Sequence, residues 1–507
     1  MEKAPEYKEK LDAWIDAHRE EMIEDLKTLV RINSIRGEAK EGMPYGEGPA
    51  AVIAAMQKLM ESYGLSVTNY ENYCVTGDLD GAGEKALDIL AHLDVVPVSE
   101  DWTVTKPFEP LVVGDRIYGR GTCDDKGPGV AALYAVRAVK ELGFPLKRGV
   151  RLVYGSDEEC GSSDLEYYYS KEKEAEYTFS PDADFPLINI EKARLSKTFC
   201  AESAQEEALP ALLRFEAGSK ANVVPGKAEA VFAGLKEEDL KKAVKQLEEE
   251  TGVTVSCAAD GALYRVEVKG ASGHAASPEA GNNALTALLR LTVLLPLAES
   301  DVTEKMHVLA ALFPHGDWGG KALKVDMSDE ESGDLTLSLD VLNYKDGKIE
   351  GIFDCRAPLI ATDENLTLVL RKTFAEAGFS MEEGGMNPAH AVSADSFFVR
   401  TLLDCYELYS GQKGKTLAIG GGTYVHELER GVAFGCAEEG VDTHMHGDDE
   451  YMKLSVMVMS AKIFADAILR LCMYDRAWRR RNMYAIRIVM QTGLIWRPSV
   501  SRLLSWI

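Results

Sequence analysis

The spacing of apolar and polar residues predicts helices that alternate with strands over the first 190 residues. Three segments carry apolar residues at helical spacing, and three others carry short apolar runs bounded by turn residues. The predicted helices cover 7–31, 48–63 and 127–142, and the predicted strands cover 66–70, 87–91 and 149–155. Strands that alternate with helices in this way predict an α/β core with a largely parallel sheet.

The pattern changes after about residue 190, where several segments are typical of antiparallel strands and alternate with helical stretches. We interpret residues 191–390 as an inserted α+β domain. Residues 1–190 then form the first part of the α/β domain, and residues 391–473 form its second part. The further helices are predicted over 236–250, 282–297, 363–377, 393–408 and 453–471.

Length and composition restrict the class of protein. A chain of 507 residues is too long for one core, so two large units are expected. The net charge of −26 argues against binding to nucleic acid, because phosphates would be repelled over most of the surface. Nine cysteines without a CxxC pair indicate reduced thiols in the cytoplasm.

Neither end of the chain indicates export or a membrane span. The N-terminus is acidic and has no apolar signal core, and no long apolar run precedes the last segment. That segment, residues 474–507, contains seven arginines, one aspartate and no lysine or glutamate. A basic amphipathic tail can contact a membrane surface or a partner. We favour the alternative that this basic C-terminal extension lies outside the fold.

An imidazole and several carboxylates follow the most apolar strand. The run at 87–91 ends in His92-Leu93-Asp94, and Asp124 and Asp125 follow on a later loop that leads into a helix. Alternation along a strand puts His92 and Asp94 on one face. Such groups are costly to place together unless a metal ion binds them. The alternatives are an incidental histidine at a strand end and a helix start that the two acids stabilise.

Two adjacent glutamates, Glu158 and Glu159, follow the strand predicted over 149–155. Adjacent side chains point in different directions, so at most one residue of such a pair is expected to bind a metal directly. The other can act on a water molecule, and metal-assisted hydrolysis needs this division of roles. Two glutamates at a strand end are also typical of a solvated loop.

Two later loops add candidates. Asp182 lies in the Pro-bounded turn Ser180–Pro186, where an aspartate commonly makes local hydrogen bonds. His444 and His446 precede the last predicted helix, and this sequence also suits a surface loop. Each signal is weak alone, whereas the order in which the signals occur is specific.

That order resembles the M20 family of co-catalytic metallopeptidases. It runs from His-x-Asp after a strand through Gly-Arg-Gly-x-x-Asp-Asp-Lys-Gly, Asp-Glu-Glu at a strand end and Pro-Asp-Ala-Asp-Phe-Pro to a distant histidine. The resemblance covers about residues 10–472 and is nearest to the PepV-like bacterial dipeptidases, which include carnosinase-like and Xaa-His dipeptidases. It implies a two-domain α/β metallopeptidase with a mixed, largely parallel sheet in the catalytic core and an inserted α+β lid domain.

The resemblance also implies five metal ligands and two divalent ions. Asp124 would bridge the ions; His92 and Asp182 would complete one site, and Glu159 and His446 the other. Glu158 would be the general base and Asp94 the acid behind His92. His446 is preferred to His444 because of its spacing from Glu450. Nitrogen and oxygen donors without a thiolate suit Zn²⁺, and also Mn²⁺ or Co²⁺.

The inserted domain would supply most of the substrate contacts. His274 resembles the family's lid histidine, which steadies the oxyanion of the tetrahedral intermediate. Asn222 and Arg356 resemble the groups that bind the substrate backbone and its C-terminal carboxylate. The segment Gly421-Gly422-Thr423-Tyr424 resembles a glycine-rich substrate loop, in which Gly421, Gly422 and Thr423 would contact the substrate. Without the family pattern, the histidine reads as structural and the glycines read as a turn.

The expected function is therefore hydrolysis of dipeptides or short peptides with a free N-terminus, by a metal-bridged water that Glu158 activates. One alternative is an M20 deacylase of N-acyl amino acids, of the succinyl-diaminopimelate or acetylornithine type. A non-catalytic peptide-binding protein is a further alternative, and the intact ligand set argues against it. We expect a monomer, because the larger lid of the PepV-like group can close the site within one chain.

Overall fold

The computed structural model describes residues 5–204 and 208–473, which divide into two compact units. The first unit comprises 5–187, 393–416 and 423–473, and the second comprises 188–204, 208–392 and 417–422. The second unit thus takes in a short segment, 417–422, that the sequence-based division assigns to the first. The basic extension predicted at 474–507 lies outside the described residues.

The first unit is built on a mixed sheet. Its strands follow the hydrogen-bonded order Ser66–Tyr70, Cys74–Leu79, Arg148–Gly155, Gly83–His92, Tyr177–Ser180 and Gly431–Ala433. The first two neighbouring pairs are antiparallel, and the remaining three are parallel. The predicted α/β core with a mixed, largely parallel sheet is confirmed.

Helices cover this sheet. The helices Lys126–Glu141 and Leu454–Cys472 pack against each other and against Gly83–His92 and Arg148–Gly155, and almost all of their residues are buried. The other helices of the unit are Lys8–Ala17, Arg19–Val30, Glu47–Ser62, Ser163–Tyr169 and Phe397–Ser410. Its short strands are Leu111–Val113, Arg116–Tyr118, Ala183–Asp184, Cys436–Ala437 and Tyr451–Lys453.

The first predicted helix is divided at His18 into Lys8–Ala17 and Arg19–Val30. The His18 ring stacks on Trp14 with centroids 3.7 Å apart, and its Nδ1 lies 2.7 Å from the Trp14 carbonyl oxygen. A side chain that competes with the backbone for a helical carbonyl interrupts the helix. The apolar spacing continues across this break, so the sequence pattern does not reveal it.

The second unit has an eight-stranded antiparallel sheet. Its strands follow the order Thr254–Asp260, Leu263–Lys269, Lys227–Ala233, Ala211–Ala217, Thr336–Lys345, Lys348–Ala357, Ala193–Glu202 and Ser380–Met381. Its helices are Glu237–Thr251, Ala284–Leu294, Asp301–Leu312 and Leu368–Glu376, and the last is preceded by a π-turn at Asp363–Thr367. The short strands are Ile188–Glu191, Val223–Val224, Gly273–His274, Ser328–Asp329, Gly333–Asp334, His390–Ala391 and Leu417–Ile419.

The parallel strands of the first unit determine where its polar side chains gather. Gly83–His92 lies between Arg148–Gly155 and Tyr177–Ser180 and runs parallel to both. The carboxyl ends of the three strands therefore meet at one edge of the sheet, where functional groups of α/β proteins collect. His92 ends the first strand, and Glu158 and Asp182 follow the other two.

Candidate metal centre

His92 is the fully buried centre of the polar cluster at this sheet edge. Its Nε2 lies 2.9 Å from Asp124 Oδ1 and 3.6 Å from Asp182 Oδ2. The His92 backbone N–H donates to Asp125 Oδ2 at 3.1 Å. Asp125 thus fixes the backbone of His92, while Asp124 faces its ring.

The Asp124 carboxylate lies between two imidazoles. Its Oδ1 faces His92, and its Oδ2 lies 2.8 Å from Nε2 of His446. The same His446 nitrogen is 3.3 Å from Glu159 Oε1. Ligand atoms of His92, Asp124 and Glu159 lie within 4.8 Å of one another, a spacing that could hold a metal ion. A carboxylate with both oxygens facing ligand groups has the arrangement that a bridge between two ions requires.

His446 reaches this cluster from an exposed loop in an unusual backbone conformation. The φ angles of His444, His446 and Asp449 are 57°, 62° and 56°, in the left-handed region that side-chain-bearing residues seldom adopt. Asp449 anchors the loop, because its Oδ1 accepts the N–H groups of Thr103 and Val104 at 2.9 and 2.8 Å. Backbone strain of this kind persists where the surroundings hold it, and it is concentrated at functional sites.

The neighbouring His444 has different contacts. Its Nδ1 lies 3.0 Å from the Asp448 carbonyl oxygen, and its ring lies edge-on to Tyr451 with centroids 6.1 Å apart. Neither contact belongs to the carboxylate cluster around His92. Of the two histidines, His446 is therefore the one that the loop brings to Asp124 and Glu159.

Glu158 stands beside the ligand groups in a short helical turn, Glu158–Cys160. Burial raises the pKa of its carboxyl well above the usual range, and the nearby Asp182, Glu159 and Asp124 raise it further, against His92. A carboxyl with a raised pKa among acidic neighbours is typical of a group that exchanges protons in a reaction.

Asp94 contacts more than the histidine that precedes it. Its Oδ1 lies 3.5 Å from His92 Nδ1, whereas its backbone carbonyl oxygen is closer, at 3.1 Å. The two carboxylate oxygens accept the backbone N–H groups of Glu158 and Glu159 at 3.2 and 3.1 Å. Asp94 therefore holds the backbone of the turn Glu158–Cys160 and also helps to orient the His92 ring.

The electrostatics of the cluster suit a cation. Burial raises the pKa values of Glu159, Asp182 and Asp125, and neighbouring carboxylates add to the effect. Burial acts in the same direction on Asp124, but hydrogen bonds from His446 and His92 hold its pKa far below the usual range. Buried acids that repel one another gain stability from a divalent ion. The nitrogen and oxygen donors, with no thiolate among them, fit such an ion.

Asn222 and His274 lie in the second unit, on paired short strands and the turns beside them. Asn222 has a φ of 102°, and its N–H donates to Asp340 Oδ2 at 3.0 Å. His274 is exposed, and its Nδ1 accepts the Ala276 N–H at 3.1 Å. The neutral His274 ring therefore carries its proton on Nε2, which makes that nitrogen a hydrogen-bond donor.

Arg356 is buried in the same unit and is held by an acid. Its Nε and Nη2 donate to the two carboxylate oxygens of Asp354 at 2.6 and 3.2 Å. Its Nη1 donates to the Gly420 carbonyl oxygen, just before the Gly421–Thr423 segment of the predicted substrate loop. Asp354 thereby fixes the plane of the guanidinium that is predicted to bind a carboxylate.

Arg120, the arginine of the Gly-Arg-Gly pattern, is buried near the proposed ligands, and the sequence alone assigned it no role. Arg120 Nη1 donates to Glu450 Oε2 at 2.5 Å, and the Cys123 N–H donates to Glu450 Oε1 at 3.0 Å. This contact joins the loop before Asp124 to the end of the His446 loop. An arginine between two glycines can indicate a buried ion pair. The partner could not be identified from the sequence, because Glu450 lies 330 residues further along the chain.

Lys126 is a further buried charge that the pattern contained. Its Nζ donates to the carbonyl oxygens of Leu29 and Ile32 at 3.2 and 3.0 Å, at the end of the helix Arg19–Val30. Burial lowers the pKa of this amine to about 7, against the charges of Glu450 and Asp94. Lys126 therefore ties the Asp124–Asp125 loop to the N-terminal helices.

Comparison with known proteins assigns the family. A family model described as Peptidase family M20/M25/M40 matches residues 89–470. The chain belongs to this family. YtjP of Bacillus subtilis (strain 168), a relative, is 36% identical over 462 residues, which are 89% of this chain and 97% of that protein. The Beta-Ala-Xaa dipeptidase of Lactobacillus delbrueckii subsp. lactis is 32% identical over 460 residues, 90% of this chain and 97% of that protein.

Solved structures share the M20 fold at low sequence identity. Aminoacylhistidine dipeptidase from Vibrio alginolyticus matches with a TM-score of 0.55 at 13% identity, covering 90% of this chain and 97% of that chain. Human carnosine dipeptidase 1 matches with a TM-score of 0.54 at 17% identity, covering 92% and 99%. The two matches support the fold. In the part of this M20 chain that the structure describes, no helix has the length and hydropathy needed to cross a membrane.

The two histidines of the loop provide a matched pair of variants. His446→Ala is expected to remove one metal ion and to lower kcat by more than about 100-fold, because changes to groups that only support a ligand already cost 10–100-fold. His444→Ala, two residues earlier, is expected to keep its metal and to stay within about threefold of the unaltered activity, since it lies outside the cluster. Metal analysis and dipeptide hydrolysis measure both effects. If the two variants exchanged roles, the ligand would be His444.

Proposed function

We propose that the protein is a metallo-dipeptidase that hydrolyses dipeptides or short peptides with a free N-terminus. The observation that carries this proposal is the position of Asp124, whose two carboxylate oxygens lie 2.9 and 2.8 Å from the ring nitrogens of His92 and His446. Membership of a peptidase family and the name of the 32% identical relative, Beta-Ala-Xaa dipeptidase, support a dipeptide substrate.

The proposed ligands form two groups around the shared Asp124 carboxylate. His92 and Asp182 would hold one ion, and Glu159 and His446 would hold the other. Zn²⁺ fits this donor set best, and Mn²⁺ or Co²⁺ also fit. When bound, such ions polarise the substrate carbonyl and lower the pKa of water at the site.

Glu158 is the proposed general base. Its carboxylate would accept a proton from the attacking water and pass it to the amine nitrogen that leaves. Asp94 holds the Glu158 and Glu159 N–H groups and also faces the His92 ring, so it keeps the base and this ligand in a fixed relation. The pair of roles assigned to Glu158 and Glu159 is the division that hydrolysis needs, with one acid for the proton and one for the ion.

The substrate contacts are proposed for residues of the second unit and for Thr423. His274 would donate from Nε2 to the oxyanion that forms on the carbonyl oxygen. Asn222 would contact the substrate backbone, and Arg356 would bind the C-terminal carboxylate. The segment Gly421–Thr423 would line the substrate. Residues 191–390 would act as a lid inserted between the two parts of the catalytic domain, 1–190 and 391–473.

A cytoplasmic location and a monomeric state complete the proposal. All nine cysteines lie within the described residues and none forms a disulfide there, which supports a reducing compartment. The monomer rests on the resemblance to the PepV-like group, whose larger lid can close the site within one chain. Size-exclusion chromatography with light scattering would measure the mass in solution.

The substrate class is tested by comparing three kinds of compound at equal concentration. We expect the highest kcat/KM on dipeptides that contain alanine, measurable turnover of β-Ala-His, and at least about 100-fold less on N-acetylornithine, because its acetyl group lacks the N-terminal amine that the site is proposed to hold. An N-terminally acetylated dipeptide is the matched control. Turnover of the acylated compounds alone would reject the dipeptidase and favour the M20 deacylase.

A further inference from the structure

A buried tyrosine–aspartate pair that is not among the proposed metal ligands contacts the backbone just before the turn Glu158–Cys160. Tyr424 is 3% exposed and Asp164 is fully buried. The Tyr424 hydroxyl donates to Asp164 Oδ2 at 2.5 Å. A buried carboxylate needs several donors to be stable, and the partners of this one show what it supports.

Asp164 holds the backbone that leads into the proposed base. Its Oδ2 also accepts the N–H groups of Ser156 and Asp157, at 2.5 and 3.0 Å. Asp94 accepts the next two N–H groups, those of Glu158 and Glu159. Two buried carboxylates therefore bind four consecutive backbone N–H groups, 156–159. This arrangement fixes the segment that projects both glutamate side chains.

Tyr424 comes unusually close to the end of the strand before this turn. A Cβ atom at Gly155 would lie 2.0 Å from the Tyr424 hydroxyl oxygen and 2.3 Å from Asp164 Oδ2. Only a glycine at position 155 leaves room for the pair. The Tyr424 ring also lies edge-on to the His92 ring, with centroids 6.1 Å apart and an interplanar angle of 87°.

Tyr424 also has a position in the chain that matters for substrate binding. It directly follows Thr423, the last residue of the proposed substrate loop. The hydroxyl therefore anchors the end of that loop to the carboxylate that holds the Ser156–Asp157 backbone. Asp164 thus connects the end of the loop to the two residues that precede Glu158 and Glu159.

We propose that Tyr424 and Asp164 are a positioning pair that sets the geometry of the Glu158–Glu159 turn. Through Glu159 the pair would raise the affinity for the metal ion, and through Glu158 it would raise the rate of proton transfer. Tyr424 and Asp164 themselves touch neither substrate nor metal in this account. The part that concerns Glu158 rests on the proposed function, whereas the part that concerns metal affinity does not need a peptide substrate.

Tyr424→Phe tests the pair by removing only the hydroxyl. In the full chain, we expect the Kd for the Zn²⁺ ion proposed to bind Glu159 and His446 to rise about tenfold, because groups that orient metal ligands contribute about 10–100-fold in affinity or activity. We expect kcat on an alanine dipeptide to fall about 10–100-fold while KM changes less than about twofold, since a slightly misplaced base affects the transition state more than binding. Competition with a chromophoric chelator measures the Kd.

Tyr134→Phe is the matched control. Tyr134 is fully buried in the same unit, and its hydroxyl donates to Asp25 Oδ2 at 2.8 Å. Both variants thus lose a tyrosine–aspartate hydrogen bond, which is buried for Tyr424 and partly buried for Tyr134, and we expect both to lower the thermal unfolding midpoint. Tyr134→Phe is expected to leave the Zn²⁺ Kd and kcat within about twofold of the unaltered protein. Asp164→Asn, which removes the charge under the same N–H groups, should change both in the direction of Tyr424→Phe.

The results separate this inference from the proposed function. If the unaltered protein binds Zn²⁺ but cleaves no dipeptide, the function is wrong and the positioning pair is judged on Kd alone. If Tyr424→Phe and Asp164→Asn match Tyr134→Phe in both Kd and kcat, the pair is merely structural and the inference is overturned. An unaltered protein with no measurable affinity for Zn²⁺ would overturn both.

Discussion

Glu158→Gln is expected to abolish dipeptide hydrolysis while the protein keeps its metal. Glutamine has nearly the same size and leaves the proposed ligands unchanged, but its side chain cannot accept a proton from water. Positioned acid–base groups contribute about 10²–10⁴-fold, and Glu158 serves both proton transfers, so we expect kcat to fall by about 10³–10⁴-fold. Single-turnover hydrolysis of an alanine dipeptide, with metal content measured on the same sample, gives both quantities.

Glu159→Gln is the contrasting variant at the adjacent position. The Glu159 carboxylate faces His446, and its ligand atom lies within 4.8 Å of those of His92 and Asp124. We therefore expect this variant to lose one of the two ions and to lose its activity for that reason. Near-normal turnover of Glu158→Gln would reject Glu158 as the base. Loss of metal from Glu158→Gln, with Glu159→Gln unaffected, would exchange the two roles.

The sequence predicted much of the site because the site lies at strand ends. An apolar run that ends in a histidine predicts a buried strand with the histidine at its carboxyl end. His92 does end the strand Gly83–His92. The acids at 158–159 and 182 follow parallel neighbours of that strand. Parallel strands bring their carboxyl ends to one edge, so the order along the chain contained most of the geometry.

What the sequence could not give are contacts between distant polar residues. Tyr424 and Asp164 are 260 residues apart, and Arg120 and Glu450 are 330 apart. Aspartate, glutamate and arginine are mostly exposed and tyrosine is intermediate, so only the fold shows that these four side chains are buried and paired. The break at His18 has the opposite cause, since a local hydrogen bond to Trp14 overrides an uninterrupted apolar spacing.

Asp94, in the His92-Leu93-Asp94 motif, also makes contacts with distant residues that the sequence does not predict. The spacing of His92 and Asp94 on a strand predicts two side chains on one face, and their contact of 3.5 Å agrees with this. The pattern contains nothing about the N–H groups of Glu158 and Glu159, which lie 64 and 65 residues further along the chain. Asp94 therefore links a ligand with the proposed base, and this link depends on the neighbouring strand.

Removal of the metal has the other largest expected effect. The buried acids around His92 repel one another, and the ions would offset this repulsion. Chelation should therefore lower stability as well as activity. A ligand present at 100 times its Kd contributes about 2.7 kcal/mol to the free energy of unfolding, so the thermal unfolding midpoint of the chelated protein should fall clearly. His444→Ala, which keeps the cluster intact, should show the same fall as the unaltered protein.

Metal stoichiometry, determined with activity before and after chelation, tests the central claim most directly. We expect two divalent ions per chain, no measurable dipeptide hydrolysis after their removal, and recovery when Zn²⁺, Mn²⁺ or Co²⁺ is added back. Full hydrolysis by the metal-free protein would contradict it.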